Sequence, residues 1–412
     1  MTMGCLMANK YNDIVIVGAL RTPFGRPGGS LSDLDYYDLG AIPIREVLKR
    51  VNLPGEIVDE VFWGVGDTSI CKDPFTPIAA RQSLIKAGLP HETSSISFDM
   101  SGVSAMHAVK LAAMAMKLGE IDCAIAGGAT SISRNSLVAS AVSQNSLNSR
   151  IMKIEDSPSA LNYKDFNPAA MDCDRVAAEY GVDRTEQDEW AYRSHIHYGN
   201  AWKAGKFEEE ILPLPVCREN SQNVILNIDE QYKPNITVGE LAKFKHWHGI
   251  KTITAANGAA MSDGASAILL MNRGKALETG LQPLATVIAN VSLAINLSRM
   301  PEAPGFAIQM VCKKAGFTLD NMDIIEINED FACVPLIALR IVAGDNEKKF
   351  QKLKDKTNIN GSSIAIGHPV TASGARIIMN LMYELRRRGG GYALGTLCGG
   401  LAQADACIIK VD

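Results

Sequence analysis

The stretch Ser97 to Lys117, SFDMSGVSAMHAVKLAAMAMK, restricts the fold more than any other. A short polar turn leads into a helix that is apolar on most of its circumference. Only Ser104, His107 and Lys110 make a thin polar stripe. A helix apolar nearly all round is normally buried, so the chain must wrap layers around it. Ser101 and Asp99 are good N-cap types, with Gly102 in the first turn. A buried helix N-terminus offers unpaired N–H groups and positive dipole character, favourable to a thiolate, an oxyanion or a phosphate. A central core helix with an ordinary cap would read the same way.

The rest of the chain supplies those layers. Strand-like runs at 13–19, 58–66, 93–98 and 120–128 alternate with helical runs at 38–51 and 77–86. Such alternation predicts a mainly parallel sheet covered on both faces. A second βα series starts near 283, with helices expected at 305–315, 332–343 and 371–388 and strands at 324–327, 392–398 and 405–411. The reading is α/β, with two similar halves. The N-terminal half spans 1–131 and 255–282, and the C-terminal half 283–412. Residues 132–254 make an irregular, Ser- and Asn-rich excursion, a loop domain of the kind that carries binding.

At 412 residues the chain can form large cores. A net charge of −4 gives no basic surface for nucleic acid. The nine cysteines contain no CxxC pair, so a zinc ribbon is not expected. No run approaches a membrane span, and the N-terminal apolar segment is too short for a secretory signal. A reduced cytoplasmic protein is expected.

Three C-terminal stretches resemble the thiolase family, whose members cleave or form 3-oxoacyl-CoA. They are Asn328-Glu329-Asp330-Phe331-Ala332 (family pattern NEAFA), Asn360 to Arg376 (NGGAIALGHPxGASGAR) and Thr396-Leu397-Cys398 (TLCxGGG). Arg21-Thr22-Pro23, Ala80-Arg81-Gln82, Ala126-Gly127-Gly128 and Thr254 to Asn257 fit as well, in the family's order along nearly the whole chain. The resemblance implies the thiolase fold: two βαβαβαββ halves in a five-layer α-β-α-β-α core, plus a CoA-binding loop domain.

It also implies site residues. His368 matches the histidine that activates the nucleophile, Asn328 the residue positioning an oxyanion-hole water, and Cys398 the acid/base cysteine. Gly400 matches a backbone donor of the second oxyanion hole. The nucleophilic cysteine's own position falls on Gly102, whose amide could still serve that hole. The neighbouring Asp99, Met100, Ser101 and Ala105 depart from the pattern too, which favours natural divergence. Substrate- and CoA-facing positions fall on Ala169, Ala259 and Met300. Pro168-Ala169 replaces a His-Met pair and Ala259 a serine, which implies a roomier acyl pocket.

The expected activity is cleavage of a bulky 3-oxoacyl-CoA by direct attack of CoA, whose thiol would enter a cavity left at Gly102. An aromatic substrate of the benzoylsuccinyl-CoA type is one instance. Cys333 is a candidate substitute nucleophile. A retro-aldol or decarboxylative C–C lyase and a non-catalytic acyl-CoA-binding subunit are the alternatives. No tightly bound cofactor or metal is expected, only CoA as co-substrate. Partners implied are CoA, acyl-CoA and further copies in a homodimer or tetramer. Some divergent relatives add a small zinc-finger or OB-fold subunit.

Overall fold

The structure is a computed structural model and describes residues 13–66, 78–134, 168–217, 223–247 and 249–412. Residues 135–167 of the expected loop domain, with Cys5 and Cys71, lie outside them. Eleven strands are described: β1 Ile14–Arg21, β2 Glu60–Val65, β3 Ser94–Phe98, β4 Cys123–Thr130, β5 Leu214–Cys217, β6 Asn223–Leu226, β7 Gly264–Asn272, β8 Ala285–Ala294, β9 Ile324–Ile327, β10 Gly391–Cys398 and β11 Gln403–Val411. The principal helices are α1 Tyr36–Arg50, α2 Ala79–Ala87, α3 Ser104–Leu118, α4 Ala169–Glu179, α5 Arg184–Lys203, α6 Ala303–Ala315, α7 Cys333–Ala343 and α8 Ser373–Arg388.

Nine strands form one sheet in the order β3-β2-β4-β7-β1-β8-β11-β10-β9. Its two parts meet through only two residue pairs, Val15 with Thr286 and Ile16 with Ala285. The expectation of a mainly parallel sheet is corrected here. Pairing is parallel for β2–β3, β2–β4 and β9–β10, where helices carry the chain back. It is antiparallel for β4–β7, β7–β1, β1–β8, β8–β11 and β11–β10. The tight turn at 399–402 forces the β10–β11 pairing, since a crossover helix cannot fit there.

The pairing reveals a repeat that residue identity does not. β2-β4-β7-β1 and β9-β10-β11-β8 follow the same sequence of one parallel and two antiparallel junctions. Even the β2–β3 pairing has a counterpart, a parallel bridge between Ile325 and Thr357. Each half contributes one helix to the centre: α3 precedes β4, and α8 precedes β10.

Three apolar clusters show the five layers. The central one holds Val109 and Ala112 of α3, Ile378 and Met382 of α8, and inward side chains of both sheet parts. The outer clusters lie under α1 and α2 on one side and under α6 and α7 on the other. α3 and α8 approach closely because Gly374 faces Met106. A Cβ on Gly374 would run into the Met106 backbone nitrogen, nearer than the 3.0 Å that real Cβ atoms keep. Among the described residues no helix is long and apolar enough to cross a membrane.

Candidate active site

The head of α3 departs from a simple capped start. A 3₁₀ turn at Ser101–Val103 precedes it. Ser101 sits in the left-handed region at φ 55°, and the Asp99 carboxylate accepts its N–H at 2.7 Å. Ser104 Oγ accepts from Met100 N at 2.9 Å. Asp99 therefore holds the turn rather than the helix proper. Gly102 lies in this turn, against the end of β10. A Cβ there would overlap the Cys398 carbonyl oxygen, inside 3.0 Å, and would stand 3.8 Å from His368 Cε1. The expected cavity at Gly102 is thus absent: the Cys398 carbonyl fills the space.

His368 is fixed from both ends. Gly367, at φ 102°, turns the chain after the short helix Ser363–Ile366. The His368 backbone N–H donates to Ala260 O at 3.0 Å, and its carbonyl accepts from Ser262 N at 3.1 Å. In the ring, Nδ1 lies 2.7 Å from Ser373 Oγ and Nε2 3.3 Å from Asp330 Oδ1. A nitrogen facing a carboxylate carries the proton, so in the neutral ring Nδ1 accepts from the Ser373 hydroxyl.

Asn328 closes β9. Its Oδ1 accepts from Ser363 Oγ at 2.9 Å and from Arg376 Nη2 at 3.4 Å. That fixes the amide so that Nδ2 donates to Asp330 Oδ2 at 2.8 Å. Behind it, Arg376 pairs with the buried Glu326. Cys398 closes β10, and its Sγ donates to the same Asp330 Oδ2 at 3.1 Å. Burial and that carboxylate push the Cys398 thiol well above its ordinary range, so it stays protonated.

Asp330 is therefore the point where His368, Asn328 and Cys398 converge. Burial alone would push its carboxyl up. His368, through charge and hydrogen bond, with Cys398 and Asn328, instead holds it below the usual carboxylate range. Sequence reasoning missed it, although the signal was present: Asp330 stands where the family pattern NEAFA has alanine. Its neighbour Glu329 points the opposite way and is fully buried. It accepts from Trp190 Nε1 at 2.8 Å, Ser194 Oγ at 2.7 Å and Asn358 Nδ2 at 2.9 Å. The first two tie α5 to the site turn.

The remaining expected residues are dispersed. Ala259 joins the site through its backbone, its N–H donating to Asp330 O at 3.0 Å. Gly400 N–H donates to Met100 O at 3.4 Å, so in this state that amide faces a protein carbonyl. Leu401 and Ala402, after Gly400, take φ 55° and 59°. This is a conformation that glycine adopts at no steric cost, and here the expected glycine run is missing. Met300 is buried in a turn packed against 400–402. Ala169 is exposed at the start of α4. Cys333 is fully buried in the first turn of α7, its Sγ 3.9 Å from Cys173 O. Among the described residues no cluster of His, Cys, Asp and Glu could hold a metal ion.

A duplicated, five-layered α/β core with a polar cluster where its halves meet defines the class. The pattern of the thiolase N-terminal domain matches residues 14–274, and that of the thiolase C-terminal domain residues 281–411. The chain belongs to the thiolase family. It is 34% identical over 410 residues to a beta-ketoadipyl-CoA thiolase of Pseudomonas aeruginosa, covering 97% of this chain and 99% of that one. It is also 34% identical over 401 residues to an acetyl-CoA acetyltransferase of Cupriavidus necator, covering 96% and 98%. Human mitochondrial 3-ketoacyl-CoA thiolase superposes with a TM-score of 0.86 at 28% identity, over 98% of this chain and 100% of that one. The same human enzyme has been solved in complex with CoA, with a TM-score of 0.84 to this chain.

Proposed function

We propose that this chain is an acyl-CoA C-acyltransferase of thiolase type that cleaves a bulky 3-oxoacyl-CoA by direct attack of CoA, with no acyl-cysteine intermediate. One observation carries the reading: the backbone at Gly102 leaves no space for a side chain. A covalent acyl carrier therefore has no place at the head of α3. Cys398 does not replace it, because a thiol held protonated is a poor nucleophile, and it keeps a proton in place for a strongly basic carbanion to take. In this role it protonates the expelled carbanion. His368 and Asn328 orient the reacting groups, and residues 132–254 are assigned to CoA binding, with α5 anchored beside the site through Glu329. Ala259, whose backbone N–H donates to Asp330 O, offers a small side chain beside the site, which supports a bulky acyl group.

A ternary complex can replace covalent catalysis if the reactants are well oriented, since orientation contributes roughly 7–11 kcal/mol. The incoming thiol must then approach over the Asp330–His368 face, because the Cys398 carbonyl closes the Gly102 side. That closure also favours a second reading, retro-aldol cleavage of an acyl-CoA, which needs no thiol.

Steady-state kinetics and product analysis with acetoacetyl-CoA and benzoylacetyl-CoA separate the readings. Direct thiolysis gives intersecting double-reciprocal lines, two thioester products and no acyl adduct in the intact mass. Parallel lines or an acyl adduct on any cysteine would exclude it. Cleavage undiminished without free CoA would leave the lyase standing.

A further inference from the structure

We propose that Asp330 accepts the thiol proton of the attacking CoA and returns it through Cys398. The inference rests on the direct-thiolysis reading and assigns its missing base. Three donors, His368 Nε2, Asn328 Nδ2 and Cys398 Sγ, meet on one carboxylate. That set suits one negative charge at one point. At rest Asp330 carries the charge; during cleavage the substrate must carry it.

Exposure selects Asp330 as the group that meets the thiol. Its side chain keeps 19% exposure against 9% for His368, and Cys398 is buried. The balance of forces on Asp330 supplies the timing. What holds its proton affinity down is the same set of donors, while burial acts to raise it. When a developing oxyanion takes those donors, burial remains and the carboxylate becomes a stronger base.

The step balances. The CoA S–H bond breaks and its proton goes to an Asp330 oxygen. The C–S bond forms at the 3-oxo carbon as the C2–C3 bond breaks, and the electron pair passes to the thioester enolate. Cys398 gives its proton to C2. The protonated Asp330 then returns a proton to Cys398 across the existing 3.1 Å contact. No oxidant or other co-reactant is needed.

The test is Asp330→Asn, near-isosteric but unable to accept a proton, with Asp330→Ala as a second variant. With benzoylacetyl-CoA and CoA at pH 7, each should lose about 10²–10⁴-fold in kcat with the KM for CoA little changed. The loss should be repaired by thiolate from solution. Variant kcat should rise about tenfold per pH unit toward the thiol's own pKa near 8.5, with no such slope in the unsubstituted chain. The titratable groups around Asp330 are His368 and Cys398, with Cys173 and Cys333 behind Cys398. All are kept in both variants. Thiophenol, a more acidic thiol, should restore turnover at pH 7. Undiminished turnover in either variant, or a loss that neither pH nor thiophenol repairs, overturns the inference alone. Failure of the unsubstituted chain to cleave with CoA overturns it together with the thiolysis reading.

Discussion

The α-carbon of Gly102 faces the carbonyl oxygen of Cys398 with no space between them for a Cβ. Two chain segments from opposite halves of the fold meet there, the turn before α3 and the end of β10. The contact makes the glycine a structural requirement of this backbone.

Gly102→Cys should therefore destabilise the protein instead of restoring a nucleophile. Forcing a side chain into a packed site costs about 1–3 kcal/mol. Chemical denaturation should show a lowered midpoint, and intact-mass analysis after mixing with acetoacetyl-CoA should show no adduct at 102. A variant of unchanged stability that acylates at 102 would contradict the closed geometry.

The Asp330–Cys398 contact makes a prediction independent of turnover. The Asp330 charge helps keep the Cys398 thiol protonated, so Asp330→Asn should lower the thiol's proton affinity. At pH 8–9 the thiolate fraction rises and alkylation of Cys398 by iodoacetamide should accelerate. Peptide mass spectrometry reads this directly, and slower or equal alkylation would argue against the contact.

Asp330 also links stability to pH. Its proton affinity in the folded protein is below the ordinary value of 3.8. Its contribution is thus fully present above pH ~4 and is lost as pH falls through the lower folded value. The stability difference between the unsubstituted chain and Asp330→Asn should be constant from pH 5 to 7 and shrink in more acid solution. Urea melts across that range test the sign.

His195 on α5 should act in a neighbouring window. It is 3% exposed, and burial, with nearby Lys233, pushes its pKa down to about 4. The unfolded chain binds a proton near 6.5 and the folded one only near 4. Stability is lost as pH falls between those values. His195→Gln should flatten that part of the profile, and an unchanged profile would mean that His195 is not held neutral.

Gly374→Ala tests the central layer. The added methyl meets the Met106 backbone, which cannot rotate away. Overpacking of this kind costs about 1–3 kcal/mol, in some sites more. A fall in the thermal midpoint is expected, and no change would mean that α3 and α8 separate easily.

Much of this was legible in the sequence because it is periodic or local. The all-round apolar character of α3 marked it as buried, and α8 and α6 could be placed from their periods to within two residues. The resemblance rested on short runs whose order along the chain gave the layered fold. Strand direction was not legible. Whether β7 runs with or against β4 depends on how residues 131–263 return to the sheet, and no local pattern records that. Nor was the state of residue 102: glycine names a missing side chain, while only the approach of β10 decides whether the space is open or filled. Asp330 shows the same limit. As one acidic residue in a five-residue run it looked like a minor departure. Only the tertiary structure brings β9, β10 and the His368 loop together, so that two donors from distant segments join the neighbouring Asn328 on its two oxygens. Charge effects act through a few ångströms of space, and sequence distance does not report that separation.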